Sequence, residues 1–344
     1  MMKMIRLIGF VIVLGIFSAC TINTENKTEI TSQTVGAIEI TNPLPSWNKG
    51  ATKASIIDYV NDVINTESEN FIKIPDRIAV FDNDGTMWSE QPLYFQFYFA
   101  IDRVKELAPE HPEWKNEQPF KGILENDLNQ LLASGSEGIG KVLAITHSGT
   151  TVAEFQQIVS NWIKTAKHPT KGKPYTDFVY KPMLELLDYL RANNFKVFMV
   201  SGGGVEFMRP IICDIYGVPY DQILGTSFKT VYNYNDGKPA LERLPELEFF
   251  NDKGGKVVNI QKIIGNKPVF CGGNSDGDLA MMQWTASNKH KSFMLYVHHT
   301  DSVREWAYDR ESHIGRLNKG LDQADQDGWT VIDMKNDWKI IYPN

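Results

Sequence analysis

The sequence is poor in cysteine, has no excess of positive charge and contains one long apolar run, which lies at its N-terminus. Three cysteines in 344 residues are too few for a disulfide-framework protein, and they show no zinc-binding spacing. There are 35 Lys and Arg against 42 Asp and Glu, a net charge of −7. This balance argues against a nucleic-acid partner, because such proteins carry a basic surface. A hydrophobic share of 42% excludes bulk disorder, and the length allows one large domain or two modest ones.

The N-terminal segment is predicted to serve export. Lys3 and Arg6 precede a short apolar run, and together they have the anatomy of a signal peptide covering residues 1–19. The sequence Phe-Ser-Ala-Cys ending at Cys20 resembles a bacterial lipobox, in which the cysteine is lipidated; a chance cysteine in an ordinary secretory signal is the alternative. Residues 20–42 are rich in Ser, Thr and Asn, which predicts a flexible tether. We therefore expect a lipoprotein held to the lipid bilayer and facing the periplasm.

The remaining chain alternates short apolar runs with amphipathic segments. Apolar runs at residues 77–81, 196–200, 268–271 and 293–297 each end in small or polar residues. This pattern predicts an α/β fold, with βαβ units forming a Rossmann-like core around a parallel sheet. Ligands of such sheets bind beyond the carboxyl ends of the strands, so the polar residues there form the candidate site.

A long helical stretch separates the first two apolar runs. We assign residues 43–86 and 183–344 to the core and residues 87–182 to an inserted helical cap. Within the cap, Thr151 begins a capping-box pattern that predicts the start of a helix. The aromatic residues at 94–99 have helical spacing, which is typical of a packed core.

Two aspartates directly after the first apolar run are the most specific signal in the chain. Asp82 can point along the strand axis, and Asp84 lies on the following turn, where Gly85 permits a positive φ. Paired carboxylates suit a hard divalent ion such as Mg²⁺. The alternative is an Asp-rich turn in which Asp84 caps a helix.

The sequence Asp-x-Asp-Gly-Thr after an apolar strand resembles the signature of the haloacid dehalogenase superfamily, whose members transfer phosphoryl groups through an aspartyl-phosphate. Three further motifs follow in the order found in its phosphoserine phosphatase-like branch. They are Ser201 in Val-Ser-Gly-Gly, Lys256 in Gly-Lys-Val-Val, and the cluster Gly-Asn-Ser-Asp-Gly-Asp-Leu at residues 273–279. The four motifs extend over residues 77–280.

The resemblance implies a role for each motif. Asp82 is the expected nucleophile, and Asp84 the expected general acid and base. Ser201 and the backbone N–H of Gly202 are expected to bind phosphoryl oxygens. Lys256 is expected to hold a positive charge against the phosphoryl group and Asp82.

The resemblance also implies a Mg²⁺ site. Its expected ligands are Asp82, the backbone carbonyl of Asp84 and polar residues of the cluster at residues 273–279. When Asp278 is aligned with the second aspartate of the family cluster, Asn274 stands where the family carries the first, which removes one negative charge. We expect Asp278 to be a ligand first and Asp276 second.

Several assignments have alternatives. Lys253, one turn before Lys256, is the alternative lysine. Glu90 lies where related phosphoserine phosphatases contact their substrate, although we favour a solvated glutamate at a helix start. A phosphorylcholine phosphatase belongs to the same exported branch, so residues 94–99 are alternatively a cage for a quaternary amine. His298 and His299 are expected to contact substrate or to make structural hydrogen bonds.

Asp84 decides the expected reaction, because superfamily members with an aspartate at this position are phosphomonoesterases and phosphomutases rather than dehalogenases. We therefore predict a Mg²⁺-dependent phosphomonoester hydrolase acting on a small phosphorylated metabolite, with a phospho-amino acid or phospho-amino alcohol favoured. A catalytically weak lipoprotein that binds a phosphorylated ligand is one alternative, and a 2-haloacid dehalogenase is another.

Two further features of the core are predicted from the sequence. Residues 304–309 are predicted to form a helix, and Cys213 and Cys271 are either paired in a disulfide or free.

Overall fold

A central sheet of eight strands organises the chain, and the computed structural model describes residues 42–343. Cys20, the predicted signal peptide and almost all of the predicted tether lie outside the described residues. The strands are β1 (Ile78–Phe81), β2 (Lys196–Gly204), β3 (Ile223–Asn235), β4 (Lys238–Phe249), β5 (Phe270–Gly273), β6 (Phe293–Thr300), β7 (Ala307–Tyr308) and β8 (Thr330–Asp333).

Helices flank the sheet and form the segment between β1 and β2. The α-helices are α1 (Ala51–Ile64), α2 (Phe95–Leu107), α3 (Phe120–Leu124), α4 (Leu128–Ala133), α5 (Gly135–Thr146), α6 (Val152–Thr165), α7 (Lys181–Ala192), α8 (Val205–Tyr216), α9 (Gly254–Ile263), α10 (Leu279–Ala286), α11 (Lys319–Asp327) and α12 (Met334–Asp337). In the described residues, no helix is long and apolar enough to cross a membrane.

The strand order is β4-β3-β2-β1-β5-β6-β7, with β8 paired to β6. The pairs of β1 with β2 and β5, of β2 with β3, and of β6 with β5 and β8 are parallel, whereas β3–β4 and β6–β7 are antiparallel. This confirms the predicted α/β fold with a mostly parallel sheet. Because β2 and β5 lie on opposite sides of β1, the chain reverses direction across the sheet there, which is where such folds bind ligands.

The sequence of β1 explains its central place. All four residues are apolar and buried, and they alternate between the two faces of the sheet. Ala79 and Phe81 join the larger hydrophobic core, while Ile78 and Val80 join the smaller core on the other face. A strand that is buried on both faces reads as a continuous apolar run, as this one does.

The segment between β1 and β2 contains α2 to α6 and packs around aromatic side chains. Thr151 forms the capping box that begins α6, as the sequence predicts. Phe95 and Phe99 are fully buried, with ring centroids 4.5 Å from Tyr175 and 5.4 Å from Trp162 respectively. These rings pack together in an aromatic core, as the helical spacing predicts. The boundaries of the cap at residues 87 and 182 stay a prediction, because residues 42–344 pack as one compact unit.

Two features differ from the sequence-based expectations. Residues 304–309, predicted as a helix, form a turn and strand β7, because Asp301 accepts hydrogen bonds from the backbone of residues 303 and 304 and closes a turn. The hairpin of β3 and β4 was not predicted at all. Its turn is Asp236-Gly237, with φ angles of 53° and 76°, and an Asp-Gly pair is a recognised signal for such a turn.

Cys213 and Cys271 are both free thiols in this structure, the former half-buried on α8 and the latter buried in β5.

Candidate active site

The position of Asp82 is set by the end of β1. Its backbone N–H donates to the carbonyl of Gly272 on β5, at 3.0 Å, which continues the pairing of the two strands by one residue. The chain then turns sharply, and Gly85 adopts the positive φ (72°) expected from the sequence. The turn closes when the N–H of Gly85 donates to the carbonyl of Trp88, at 2.8 Å. Asp82 therefore stands at the carboxyl edge of the sheet, beside the switch point.

Lys256 joins two aspartates from different elements. Its Nζ donates to Oδ1 of Asp82 at 2.5 Å and to Oδ1 of Asp278 at 2.6 Å, and all three side chains are almost fully buried. The other oxygen of Asp278 accepts the backbone N–H groups of Asn274 and Ser275, at 3.0 and 3.1 Å. Asp278 thus holds the lysine and the loop after β5. The alternative lysine, residue 253, is exposed at the start of α9.

Burial and charge shift the pKa values of this group. Burial and the charge of Asp278 raise the pKa of Asp82, and the Lys256 ammonium opposes this rise. Although burial alone would lower the pKa of Lys256, the carboxylates of Asp278 and Asp82 raise it. Lys256 therefore stays charged across the physiological range.

Asp84 is suited to exchange a proton. Burial raises its pKa to about 6, although a hydrogen bond from Trp88 and the charge of Lys256 act in the opposite direction. The Trp88 indole N–H donates to Oδ1 of Asp84 at 2.8 Å, and the nearby side chain of Ser201 also lowers the pKa of this carboxyl group. A carboxyl group with a pKa near neutrality can both donate and accept a proton at physiological pH.

The glycine-rich loop of residues 201–204, where the pairing of β2 becomes irregular at its C-terminal end, is held by groups from three directions. Asn251 donates from Nδ2 to the carbonyl of Ser201 at 2.9 Å, and Thr226 donates from its hydroxyl to the carbonyl of Gly202 at 2.7 Å. The backbone N–H of Gly204 donates to Oε1 of Gln96, on α2, at 2.8 Å. The carbonyls of this loop are therefore engaged by protein groups, while the Ser201 side chain lies beside Asp84.

Gln96 also connects this loop to His147, in the helical segment between β1 and β2. The amide N–H of Gln96 donates to Nε2 of His147 at 2.9 Å, and Nδ1 of His147 donates to the hydroxyl of Thr146 at 2.8 Å. The Thr146 hydroxyl in turn donates to the carbonyl of Val142 at 2.7 Å. Burial, followed by the charge of Arg243, lowers the pKa of His147 to about 3, so the ring is neutral and can accept from Gln96.

Glu90 is buried, which overturns the expectation of a solvated glutamate at a helix start. Only 2% of the residue is exposed, and it lies before α2 rather than within it. Its Oε1 accepts hydrogen bonds from Nδ2 of Asn274 at 2.6 Å and from the hydroxyl of Tyr308 at 2.8 Å. Burial raises its pKa well above the ordinary value, and the charges of Asp84 and Asp82 add to the rise. Glu90 therefore belongs to the same charged group as the two aspartates.

His299, on β6, hydrogen-bonds the turn that follows Asp82. Its Nε2 donates to the carbonyl of Gly85 at 2.8 Å, and its Nδ1 lies 3.2 Å from Oε2 of Glu305. Glu305 also accepts from the hydroxyl groups of Ser89 and Tyr180, at 2.9 and 2.8 Å. Of the two roles expected for His299, the structure shows hydrogen bonding that orders the turn carrying Asp84.

The oxygen atoms of the group fit a hard cation. The group contains four buried or half-buried carboxyl groups, at Asp82, Asp84, Glu90 and Asp278, and one lysine, so carboxyl groups outnumber positive charges. In residues 42–343, no three His, Cys, Asp or Glu side chains converge closely enough to form a metal site by themselves. A cation would therefore need the carbonyl oxygens of Asp84 and Asn274 beside Asp82, which are donors that Mg²⁺ accepts.

Asp276 contacts the C-terminal segment. Its Oδ1 accepts the backbone N–H groups of Asn318 and Gly320, both at 2.9 Å, at the start of α11. Its own N–H donates to the carbonyl of Arg316. Asp276 thus anchors the C-terminal segment, and its role as a metal ligand stays a prediction.

A model of the haloacid dehalogenase-like hydrolase family matches residues 79–283, which is more than half of the chain. The chain belongs to this family. The matched region begins in β1 and ends in α10, and it contains Asp82, Ser201, Lys256 and Asp278. No curated protein matches the chain.

Solved structures resemble this chain at low identity. A conserved protein of unknown function from Anaerococcus prevotii is 17% identical, with a TM-score of 0.50, over 84% of this chain and 94% of that one. A phosphoserine phosphohydrolase-like protein from Francisella tularensis is 18% identical, with a TM-score of 0.35, over 64% of this hydrolase and 87% of that protein. At 17% identity, the first likeness supports the fold alone.

The contacts of Lys256 predict a pH-dependent loss of stability. Replacing Lys256 with Met leaves two buried carboxylates unpaired, which we expect to lower the free energy of unfolding by about 3–5 kcal/mol at neutral pH. Without the lysine, the folded carboxyl groups have a pKa raised above that in the unfolded chain, so the stability they contribute is lost as pH rises. The loss in Lys256→Met should therefore shrink as pH falls toward 4. Urea denaturation with EDTA present, at neutral and acidic pH, measures it.

Lys253→Met is the matched control, because Lys253 is an exposed lysine three residues earlier. We expect this variant to unfold like the native protein at both pH values. Equal losses in the two variants, or a loss in Lys256→Met that does not change with pH, would contradict the assigned role of the buried ammonium.

Proposed function

We propose that this hydrolase is a phosphomonoesterase that works through a phosphorylated Asp82. The observation that carries the proposal is the position of Asp82 at the edge of the sheet, held by Lys256 and followed two residues later by a carboxyl group with a pKa near 6. A nucleophile with an adjacent acid and a fixed positive charge is the set of groups that phosphoryl transfer requires.

The first step forms a bond between a carboxylate oxygen of Asp82 and the substrate phosphorus, while the phosphorus–oxygen ester bond breaks. The departing alkoxide takes a proton from Asp84. In the second step, Asp84 takes a proton from water, and the water oxygen attacks the same phosphorus. The bond to Asp82 then breaks, which releases inorganic phosphate and restores both carboxyl groups.

The phosphoryl oxygens need donors that are already in place. The hydroxyl of Ser201 and the N–H of Gly202 are the proposed donors, and Asn251, Thr226 and Gln96 hold their loop as described above. Lys256 supplies a charge that balances the transferring group without moving, since it is buried between two aspartates. Donors positioned before the reaction cost no reorganisation during it.

Mg²⁺ is the proposed cofactor. The residues that would hold it are Asp82, the backbone carbonyl of Asp84 and Asn274, whereas Asp278 is engaged by Lys256 and two backbone N–H groups. When bound, the ion would offset the negative charge of the phosphoryl group beside that of the carboxylates.

The burial of the site supports a small substrate. Asp82 is 6% exposed, Ser201 1% and Lys256 2%, so a polymer has little room to reach them. Within small phosphate esters, the resemblance of the four motifs to phosphoserine phosphatases favours a phospho-amino acid or phospho-amino alcohol.

A phosphate-release screen over phosphorylated metabolites, with Mg²⁺ and with EDTA, should show its highest kcat/KM in that class. Equal rates across sugar phosphates and nucleotides would contradict the preference.

We also propose that the protein acts in the periplasm, anchored to the bilayer through a lipidated Cys20. The support is the charged, apolar and small-residue pattern of the first twenty residues.

Replacing Asp82 with Asn tests the nucleophile. We expect Mg²⁺-stimulated hydrolysis of p-nitrophenyl phosphate by the native protein and a decrease of about 10³-fold or more in Asp82→Asn, because an amide cannot form the phosphorylated intermediate. Asp221→Asn, at an exposed aspartate outside the site, should keep native turnover. Absence of turnover in the native protein would favour the ligand-binding alternative. Metal-independent release of halide from a 2-haloacid would favour the dehalogenase.

Replacing Asp84 with Asn tests the proton donor. An aryl phosphate has a leaving group that departs without a proton, whereas an alkyl phosphate needs one. We therefore expect the first-turnover rate of Asp84→Asn to fall about 10²-fold further with an alkyl ester than with p-nitrophenyl phosphate. Rapid-mixing measurement of the first turnover separates this step from hydrolysis of the intermediate. An equal decrease for both esters would assign the proton to another group.

A further inference from the structure

Glu90 and Asn274 form a closed pair next to the two aspartates. Nδ2 of Asn274 donates to Oε1 of Glu90 at 2.6 Å, and the residues are 1% and 2% exposed respectively. The hydroxyl of Tyr308 donates to the same Oε1 at 2.8 Å. A glutamate that lies before α2 thus reaches the loop after β5, 184 residues away in the chain.

Two glycines leave the space that the pair occupies. A Cβ on Gly85 would stand 2.0 Å from Nδ2 of Asn274, and a Cβ on Gly315 would stand 1.8 Å from Oε1 of Glu90. Both glycines have positive φ, 72° and 66°. Any side chain at either position would displace the pair, so the backbone on both sides is shaped around it.

The chemistry of the pair determines which way the Asn274 amide points. Oε1 of Glu90 also accepts the Tyr308 hydroxyl, so this oxygen acts as an acceptor and the Asn274 amide turns its Nδ2 toward it. Its Oδ1 consequently faces the other way, where the hydroxyl of Thr86 donates to it at 3.2 Å. Thr86 lies on the turn that carries Asp82 and Asp84, so Oδ1 is directed toward the proposed Mg²⁺ site. A strong hydrogen bond at Nδ2 also polarises the amide and makes Oδ1 a better ligand.

We propose that Glu90 is a positioning residue that makes Asn274 a competent Mg²⁺ ligand, and that the pair together replaces a single ligating aspartate. Asn274 would supply the oxygen, and Glu90 would supply the orientation and, once a cation is bound beside it, the balancing negative charge. The inference rests on the Mg²⁺ site of the proposed function. It differs from a substrate-contact role for Glu90, because it assigns the effect of that residue to the metal.

The test is a charge exchange within the pair. Glu90→Gln keeps the shape and an acceptor oxygen but removes the negative charge. We expect the Kd for Mg²⁺, measured by calorimetry without substrate, to rise about tenfold or more, as is typical when a group supporting a metal ligand is changed. Adding Asn274→Asp to this variant returns one negative charge to the pair, and the Kd should come back to within about threefold of the native value or below it.

Glu246→Gln is the matched control, because Glu246 is an exposed glutamate on β4 that pairs with Lys229. Its Kd for Mg²⁺ should equal the native value. The melting temperature of each metal-free variant shows whether it is folded. If Glu90→Gln alone does not fold, the double variant decides, since the proposal requires it to bind Mg²⁺ at near-native affinity.

Unchanged Mg²⁺ affinity in Glu90→Gln would overturn the inference, and a rise in KM at unchanged affinity would assign Glu90 to the substrate instead. A double variant that binds more than tenfold weaker than the native protein, or a native protein that binds no Mg²⁺, would also overturn it. If the variants show the expected Kd values for Mg²⁺ but the native protein hydrolyses no phosphate ester, the inference on Glu90 is supported and the proposed phosphomonoesterase activity is refuted.

Discussion

The contact of one buried lysine with two aspartates is the interaction on which the site depends. Lys256 on α9 meets Asp82, 174 residues earlier at the end of β1, and Asp278, 22 residues later at the start of α10. Each of these charges would be costly to bury alone, so the three elements are held together by the requirement that none be left unpaired. The same lysine that opposes the rise in the pKa of Asp82 therefore determines where the proposed nucleophile lies.

The buried group nevertheless contains more carboxyl groups than positive charges. Asp84 and Glu90 add carboxyl groups to a cluster whose lysine is already shared, and their pKa values rise because burial stabilises the neutral acid. A group of this kind lowers the stability of the fold, which proteins tolerate at functional sites. Burial brings the pKa of Asp84 close to neutral pH, and the excess of carboxyl groups provides the attraction for a divalent cation.

Local patterns in the sequence predicted the parts of the site that a strand end positions. Asp82, Ser201 and Lys256 follow or begin regular elements, so the alternation of apolar runs indicates where they lie. Gln96, Tyr308 and the burial of Glu90 were not predictable in this way, because each depends on contacts with residues that are distant in the chain. The hairpin of β3 and β4 escaped prediction for a different reason: its strands are largely exposed and lack an apolar run, although the Asp-Gly turn marks it.

Gly85 is where these separate constraints meet. Its carbonyl accepts from His299 on β6, its N–H closes the turn to Trp88, and its missing side chain leaves the space that Asn274 and Glu90 fill. The turn therefore sets the backbone carbonyl of Asp84 and the Asn274 amide at the same time. Because one backbone conformation serves both, the orientation of the proposed ligands and the placement of the proposed proton donor are properties of a single turn. This shared dependence explains why three elements of the fold converge on it.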